Sequence, residues 1–474
     1  MSRRVFLKKT GVSVAVLSLP GRYAFTREAD KPNILFIMTD QQFADIMSCR
    51  MGKKYINTPA MDSLAENGML FTEAYTANPL CVPARNSIFS GRYPHETGCQ
   101  RNGQTIRKSE FDHKEFPCMG TYFKNAGYDT GYVGKWHLWY ESENKKSHGF
   151  DLTAVLHGKG HDDEIPAPAV EFMQRERSKP FMLVVSLSNP HDVCQLARHQ
   201  KLPSGPIPPL PPIDDRPPMK SNHQPPVNES DAMTLIRKSF HSSSTFPVGN
   251  YDEDKWTRLS WGYYRLVEKV DALIGKVIEG LKQSGQLHNT LIFFTSDHGD
   301  CHGAHKFNQK TVFYEESARI PFVLSYKNVI KHGTSDTLVN TGVDILPTML
   351  DFAGIEKPAR LPGRSLKQIA LGQSPRDWRD CVVVQNYMTQ GGKVNGKIPK
   401  VKGRMVRSKA YKYCPYDHGK QREELFDMKN DRLETENLAV KPHTLEILKQ
   451  HREYLRAFAE KYKDDTALEM LKQV

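Results

Sequence analysis

Four short apolar runs, each ending in a polar cluster, limit what this chain can build more than any other feature. Residues 33–38, "NILFIM", lead into "TDQQ"; 130–133 lead into "GKWH"; 181–187 into "NPHD"; and 291–295 into "SDHGD". Runs this short and this apolar suit strands buried on both faces. Helical patterns lie between them. Thr58 and Pro59 read as N-cap and first residue of a helix that Gly68 closes. Leu266, Val270, Leu273, Ile274, Val277, Ile278 and Leu281 fall on one face of a long amphipathic helix. This alternation predicts an α/β fold, a large mixed, mostly parallel sheet sandwiched by helices.

Two stretches break the pattern. Residues 203–226 contain ten prolines, which excludes regular structure and predicts a long surface excursion, either inert or a wall of a cleft. From about residue 370 the runs shorten, as in "CVVVQNYM", "RMVRSKAYKYCPY" and "EELFDM", before a helix carrying Leu448, Leu455 and Phe458. The expected division is a main domain over 30–368 and a smaller antiparallel α+β domain over 369–474. No internal repeat is present.

Half of the net charge of +12 sits in the first 27 residues, which hold Arg3, Arg4, Lys8, Lys9, Arg22 and Arg27 and no acid. The remainder suits an anionic substrate, and the lack of a basic stripe interleaved with aromatics argues against nucleic acid. The opening "MSRRVFLKKTGVSVAVLSLPG" resembles a twin-arginine export signal over residues 1–29, with Arg3 and Arg4 as the pair and Phe6 and Leu7 following. Its apolar run, Val12 to Leu19, is too short to be a stable transmembrane segment. The expected partner is the twin-arginine export machinery, and the expected location the periplasm or beyond in a bacterium. Eight cysteines without a C-x-x-C pair point to neither a disulfide scaffold nor a zinc site.

In an open parallel sheet, ligands bind beyond the carboxyl ends of the strands, so the polar tips belong together. They supply Asp40 and Gln41, Lys135 and His137, His191, and Asp297 and His298. Asp40, Gln41 and Asp297 offer hard oxygens that calcium or magnesium takes, and His298 adds a nitrogen. Arg85, Lys135 and Lys310 supply positive charge that a divalent cation tolerates nearby only with a polyanion in between. A sulfate or phosphate ester would reconcile the two.

The run Cys81-Val82-Pro83-Ala84-Arg85, continuing to Ser90-Gly91-Arg92, resembles the C-x-P-x-R signature of the type I, formylglycine-dependent sulfatases in the alkaline phosphatase superfamily. "GKWH", "NPH" and "SDHGD" resemble the family's other signatures in the family's order, as do Lys310 with "TVFYEESARIPF" and the closing "ELFDMKNDRLETENLA". The similarity covers about residues 31 to 440.

That resemblance implies hydrolysis of sulfate esters. Cys81 would be oxidised by a formylglycine-generating maturase to formylglycine (3-oxoalanine). Calcium, in preference to magnesium, would be held by Asp40, Gln41, Asp297, His298 and the modified Cys81. Gln41 departs from the more common aspartate and removes one negative charge. One hydroxyl of the hydrated aldehyde would attack sulfur, with Arg85 holding it and Asp297 as base. Lys135, His191 and Lys310 would hold the sulfate, and His191 or Lys310 would protonate the leaving alcohol. His137 would take the proton of the second hydroxyl as sulfate departs. Pro83 suits the first turn of a helix whose N-terminus faces the anion.

Export and long loops favour a sulfated carbohydrate as substrate, with His95, His302 and His305 as candidate sugar contacts. Cys194 and Cys301, close behind His191 and Asp297, suggest a disulfide. The rival readings are a phosphodiesterase or phosphonate monoester hydrolase with the same modified cysteine, and a non-catalytic glycan-binding protein.

Overall fold

The computed structural model describes residues 31–103, 111–155 and 160–474, so the export segment lies outside the described residues. Eight strands form the main sheet. From one edge to the other they are Leu152–Val155, Asp129–Gly134, Phe181–Pro190, Asn33–Asp40, Thr290–Ser296, Phe322–Ser325, Met69–Phe71 and Gly333–Ser335. The first five run parallel, and Phe322–Ser325 is antiparallel to both of its neighbours. The four strands expected from sequence are adjacent members of the parallel block, which brings their polar tips to one edge.

Side-chain alternation explains why those runs are apolar throughout. Leu35, Ile37, Leu183, Val185, Ile292 and Phe294 point into one core, against Val267, Val270, Ile274 and Leu281. Ile34, Phe36, Met38, Met182, Val184, Leu291 and Phe293 point into the other, against Ile88, Phe89, Leu346 and Met349. Both faces are covered, so neither can be polar. The helix on the first face is Glu253–Gln283, started by Asp252, whose side chain accepts from Lys255 N. The second face carries Cys81–Ser90 and Thr341–Phe352.

The C-terminal part is a four-stranded antiparallel sheet, Cys381–Met388, Val401–Ser408, Tyr411–Pro415 and Glu423–Asp427. Val383, Val406, Tyr413 and Leu425 pack on Leu448, Leu455 and Phe458 of the helix Leu445–Tyr462. Val382, Val384, Met405 and Phe426, on the other face, share a core with Phe307, Val312, Phe313 and Tyr314. The proline-rich excursion holds only a short 3₁₀ turn, Ile213–Asp215. Among the described residues no helix is long and apolar enough to cross a membrane.

Candidate active site

Cys81 opens a ten-residue helix in which every residue is buried, and Gly91 at φ +68° ends it. Asn102 Oδ1 accepts the Val82 N–H at 3.1 Å, and Pro83 has no N–H to satisfy. The helix therefore begins at the carboxyl edge of the sheet with Cys81 facing the strand tips. "GKWH" turns into the same space through Gly134, at φ +104°. A side-chain carbon there would lie 2.0 Å from Ser186 O, so only glycine allows Lys135 N to bond that carbonyl at 2.8 Å.

Arg85 organises the centre. It is fully buried, with Nε 2.8 Å from Asp297 Oδ2 and Nη2 3.2 Å from Asp40 Oδ2. Its Nη1 donates to Ser186 Oγ at 2.8 Å and to Lys135 O at 3.2 Å. Each carboxylate is left with its Oδ1 turned toward His298 Nε2, at 3.8 Å from Asp40 and 3.6 Å from Asp297. Cys81 Sγ lies 3.1 Å from that nitrogen. His298 Nδ1 faces the Gly299 carbonyl at 2.9 Å; a carbonyl can only accept, so Nδ1 carries the proton and Nε2 points inward. Asp40, Cys81, Asp297 and His298 thus bring one donor atom each within 4.8 Å of one another, all buried. Two carboxylates and an imidazole in one dry corner fit a divalent cation.

Gln41 sits beside this corner with its amide engaged elsewhere. Its Oε1 accepts from Lys310 Nζ at 2.6 Å and its Nε2 donates to Asp300 Oδ2 at 2.6 Å. Lys310 Nζ is also 3.2 Å from Cys81 Sγ. Lys135 Nζ reaches Asp40 Oδ2 at 2.5 Å, and His191 Nε2 is 4.0 Å from Asp40 Oδ1. His137 and His191 both interact with the Cys81 thiol. Lys135, His137 and His191 keep solvent contact, whereas Cys81, Asp40, Asp297 and His298 do not. The mouth is therefore on the Lys135–His191 side.

The electrostatics separate the two acids. Burial opposes ionisation of Asp40, but Lys135, His191, Arg85 and Lys310 outweigh it and hold its carboxyl well below the usual range. Burial, with Asp40 nearby, pushes Asp297 up. Burial and Lys310 push His191 down to about 3. Gln41, His137, Gln309 and Thr311, next in the chain to site residues, hold positive φ; for Thr311, buried and β-branched at +74°, this is a strained conformation.

The structure does not bring three expected residues here. His95 Nε2 bonds Tyr462 O at 2.9 Å and its Nδ1 bonds Gln385 Nε2 at 2.7 Å, so it pins the last helices. His302 is buried among Phe43, Tyr263 and Tyr264. His305 is buried beside Glu316 and Glu434. Cys194 and Cys301 are free thiols, not a disulfide: Cys194 packs against Gln41, and Cys301 in the core shared with the C-terminal sheet. Ser186, Asp300 and Asn102 were missed. "SDHGD" contained Asp300, but nothing local marks a serine inside an apolar strand as the partner of Arg85.

The second cluster is built differently. Lys412 Nζ sits 2.6 Å from Glu315 Oε1 and 2.8 Å from Glu434 Oε1. Arg319 Nε bonds Glu315 Oε2 at 2.8 Å, and Lys220 and Asn222 both reach Glu316 Oε1. His305 Nδ1 meets Gln224 O at 3.1 Å. These contacts join the excursion, the main sheet and the C-terminal sheet.

A nucleophile-bearing helix start, a cation corner and a basic mouth at the edge of a parallel sheet define a centre for chemistry on an anionic ester. The sequence matches the Sulfatase family over residues 32–355 and, over residues 303–461, the family N-sulphoglucosamine sulphohydrolase, C-terminal. The chain belongs to the sulfatase family. It is 29% identical to an N-acetylglucosamine-6-O-sulfatase of Bacteroides thetaiotaomicron, over 92% of this chain and 88% of that protein. Its structure superposes on that of a 2-O GAG sulfatase with a TM-score of 0.79 and 25% identity, covering 92% and 93% of the two chains. A phosphonate monoester hydrolase of Agrobacterium radiobacter superposes with a TM-score of 0.70 over 91% and 96%; at 20% identity the likeness is one of fold alone.

Proposed function

We propose that this chain hydrolyses sulfate esters on a sulfated carbohydrate, with Cys81, oxidised to formylglycine, at the reacting centre and a divalent cation beside it. The observation that carries this reading is the convergence on Cys81, with the four-donor corner on one side and Lys135, His191 and Lys310 on the other. Hydrated formylglycine supplies two geminal hydroxyls, one to attack sulfur and one to release sulfate. Calcium suits the corner better than magnesium because it tolerates irregular oxygen sets; Asp40, Asp297 and His298 would hold it, and it would supply Lewis acidity there.

The chain's own residues do the rest. Arg85 fixes both carboxylates through their Oδ2 side, and both Oδ1 atoms face His298 Nε2, that of Asp297 also accepting the Gln41 and His298 N–H groups. Lys135, on Asp40, and Lys310, on Cys81, bring two ammonium groups to the reacting position, where a sulfate oxygen gains charge-assisted bonds. Lys310, which the surrounding anions keep protonated, is placed to give a proton to the leaving alcohol and His137 to take one from residue 81, while His191, neutral at the open side, offers the sulfate a hydrogen bond. The names of the N-acetylglucosamine-6-O-sulfatase and the 2-O GAG sulfatase support a sulfated sugar as substrate class. Twin-arginine export to the periplasm or beyond, after a maturase has acted on Cys81, belongs to the same reading, with 30–368 as catalytic domain and 369–474 as C-terminal subdomain.

The test is mass spectrometry of the peptide ending at Arg85, followed by turnover of matched sulfate and phosphodiester esters. We expect an aldehyde at residue 81 and preference for sulfate. A free thiol in protein from the native host would overturn the nucleophile, and preference for the phosphodiester would favour the rival hydrolase.

A further inference from the structure

Both segments that flank Cys81 in space carry one wall of a second cleft. On one side Asn102 holds the Val82 N–H, and Cys99 packs against Val82 and Trp139. On the other, Gln385 N bonds Ala77 O at 2.9 Å, which ties the strand Cys381–Met388 to the chain four residues before Cys81. The residues next to these anchors in the chain, Gln100 and Arg101 on one side and Tyr387 on the other, line a cleft of about 430 Å³ together with Lys400 and Lys402, Thr389 and Val401. Tyr387 and Lys402 are opposite one another in the sheet register, and Lys402 Nζ lies 5.4 Å from the centre of the Tyr387 ring.

Among the described residues, the charged groups that line it are all cationic, and the nearest acid is Asp417, whose carboxylate takes the Lys402 backbone N–H at 2.7 Å. Residues 393–402, "KVNGKIPKVK", hold Lys393, Lys397, Lys400 and Lys402 and no acid, and none of the four is ion-paired among the described residues. Lys400 and Arg101 are exposed, and Tyr387 and Lys402 half-buried. Elsewhere on the surface most lysines and arginines near a carboxylate are paired with it, as in Lys409–Asp336 and Lys441–Glu436. Unpaired ammonium groups beside an aromatic ring offer an anion and a sugar face what each binds, charge and an apolar plane.

We propose that this cleft is an anion subsite, taking a carboxylate or sulfate on the sugar next to the one that loses its sulfate. The inference rests on the sulfatase reading and adds the substrate's neighbouring charge. It makes the preferred substrate a polyanionic oligosaccharide over a monosaccharide sulfate.

The experiment compares the wild type with Lys400→Ala/Lys402→Ala on three probes. These are a monosaccharide sulfate, a sulfated disaccharide with a neighbouring uronate, and the same disaccharide with that carboxyl reduced. A fourth probe, a disaccharide with a neighbouring sulfate in place of the carboxylate, tells the two anions apart. We expect the double variant to raise KM about tenfold for the anionic disaccharides, with kcat and the monosaccharide rate unchanged. The wild type should lose a similar factor on the reduced probe, and Lys400→Arg/Lys402→Arg should restore KM.

Equal losses on monosaccharide and disaccharide, or no loss on either, would overturn the subsite while leaving the sulfatase reading intact. If no sulfate ester is turned over by wild type, that reading fails instead. The subsite is then judged by calorimetric binding of the same disaccharides to Cys81→Ala protein, where an unchanged affinity in the double lysine variant overturns it.

Discussion

Asp40, Asp297 and His298 form one buried cluster of acids with a histidine; Glu315, Glu316, Glu434 and His305 form another. The residue types are nearly the same, and the difference lies in where the compensating charge comes from. At the first cluster Arg85 takes one oxygen of each carboxylate and leaves the other two facing Cys81 and His298. At the second, Lys412 bridges Glu315 and Glu434 and Lys220 takes Glu316 Oε1, so the cations are already part of the chain. An incomplete, half-open cluster can bind and react. A closed one supplied with its own lysines holds segments together, here with Glu316 Oε2 left without a hydrogen-bond partner among the described residues.

The largest test of this contrast is Cys81→Ala. Turnover should fall by at least about 10⁴-fold, with the melting temperature changed by no more than about 3 °C, as read by steady-state kinetics and calorimetry. Lys412→Met should do the reverse. Stripping Glu315 and Glu434 of their partner should cost about 3–5 kcal/mol of stability, seen in urea unfolding, while kcat per folded molecule holds. A loss of kcat without loss of stability would mean that the second cluster is no mere rivet.

Metal removal should follow the same division. Dialysis against a chelator should abolish activity, calcium should restore it, and saturating calcium should add about 3 kcal/mol of stability at a hundredfold excess over Kd. The gain should be the same in Lys412→Met if the second cluster needs no ion.

Next in size is a pH effect. Burial pushes Glu434 up to about 8, whereas for Glu315 burial is outweighed by Lys412, Arg319 and Arg407, which hold it down to about 2. Glu316 and His305 face the same pocket. A raised carboxyl contributes stability that is full below its unfolded value near 4.5 and lost as pH rises through about 8. Glu315 works oppositely, and only as pH falls through about 2. Stability should therefore decline by about 1–2 kcal/mol from pH 6 to 8, and Glu434→Gln should remove that slope in denaturant titrations. The smallest effect is a null one. Cys194 belongs to the first region and Cys301 to the second, both as free thiols, so a reductant should leave the melting temperature unchanged.

Legibility in the sequence follows from the same physics. The four expected strands are buried on both faces and so leave an apolar run. Met69–Phe71, Phe322–Ser325 and Gly333–Ser335 are three or four residues long and pair across the chain, which leaves no periodic trace. Asp40, Lys135, His191 and Asp297 were visible because strand tips of a parallel block must meet. His302 and His305, near Lys310 in the sequence, are read there as candidate sugar contacts. Gly303 at φ +90° and His305 at φ +51° turn that segment inward instead, a reversal that spacing does not encode. Ser186, whose hydroxyl takes Arg85 Nη1, is visible only once the strand containing it lies beside the strand tipped by Asp40.

The lysine at the centre of the closed cluster has a consequence in time. Lys412 lies 97 residues after Glu315, roughly 5–20 s of synthesis at usual rates. Until it emerges from the ribosome, Glu315 has Arg319 and the Tyr75 hydroxyl but not the lysine that completes its pairing. The chain thus carries its own delay, and the edge of the sheet nearest Lys310 closes only when the last fifth of the polypeptide arrives.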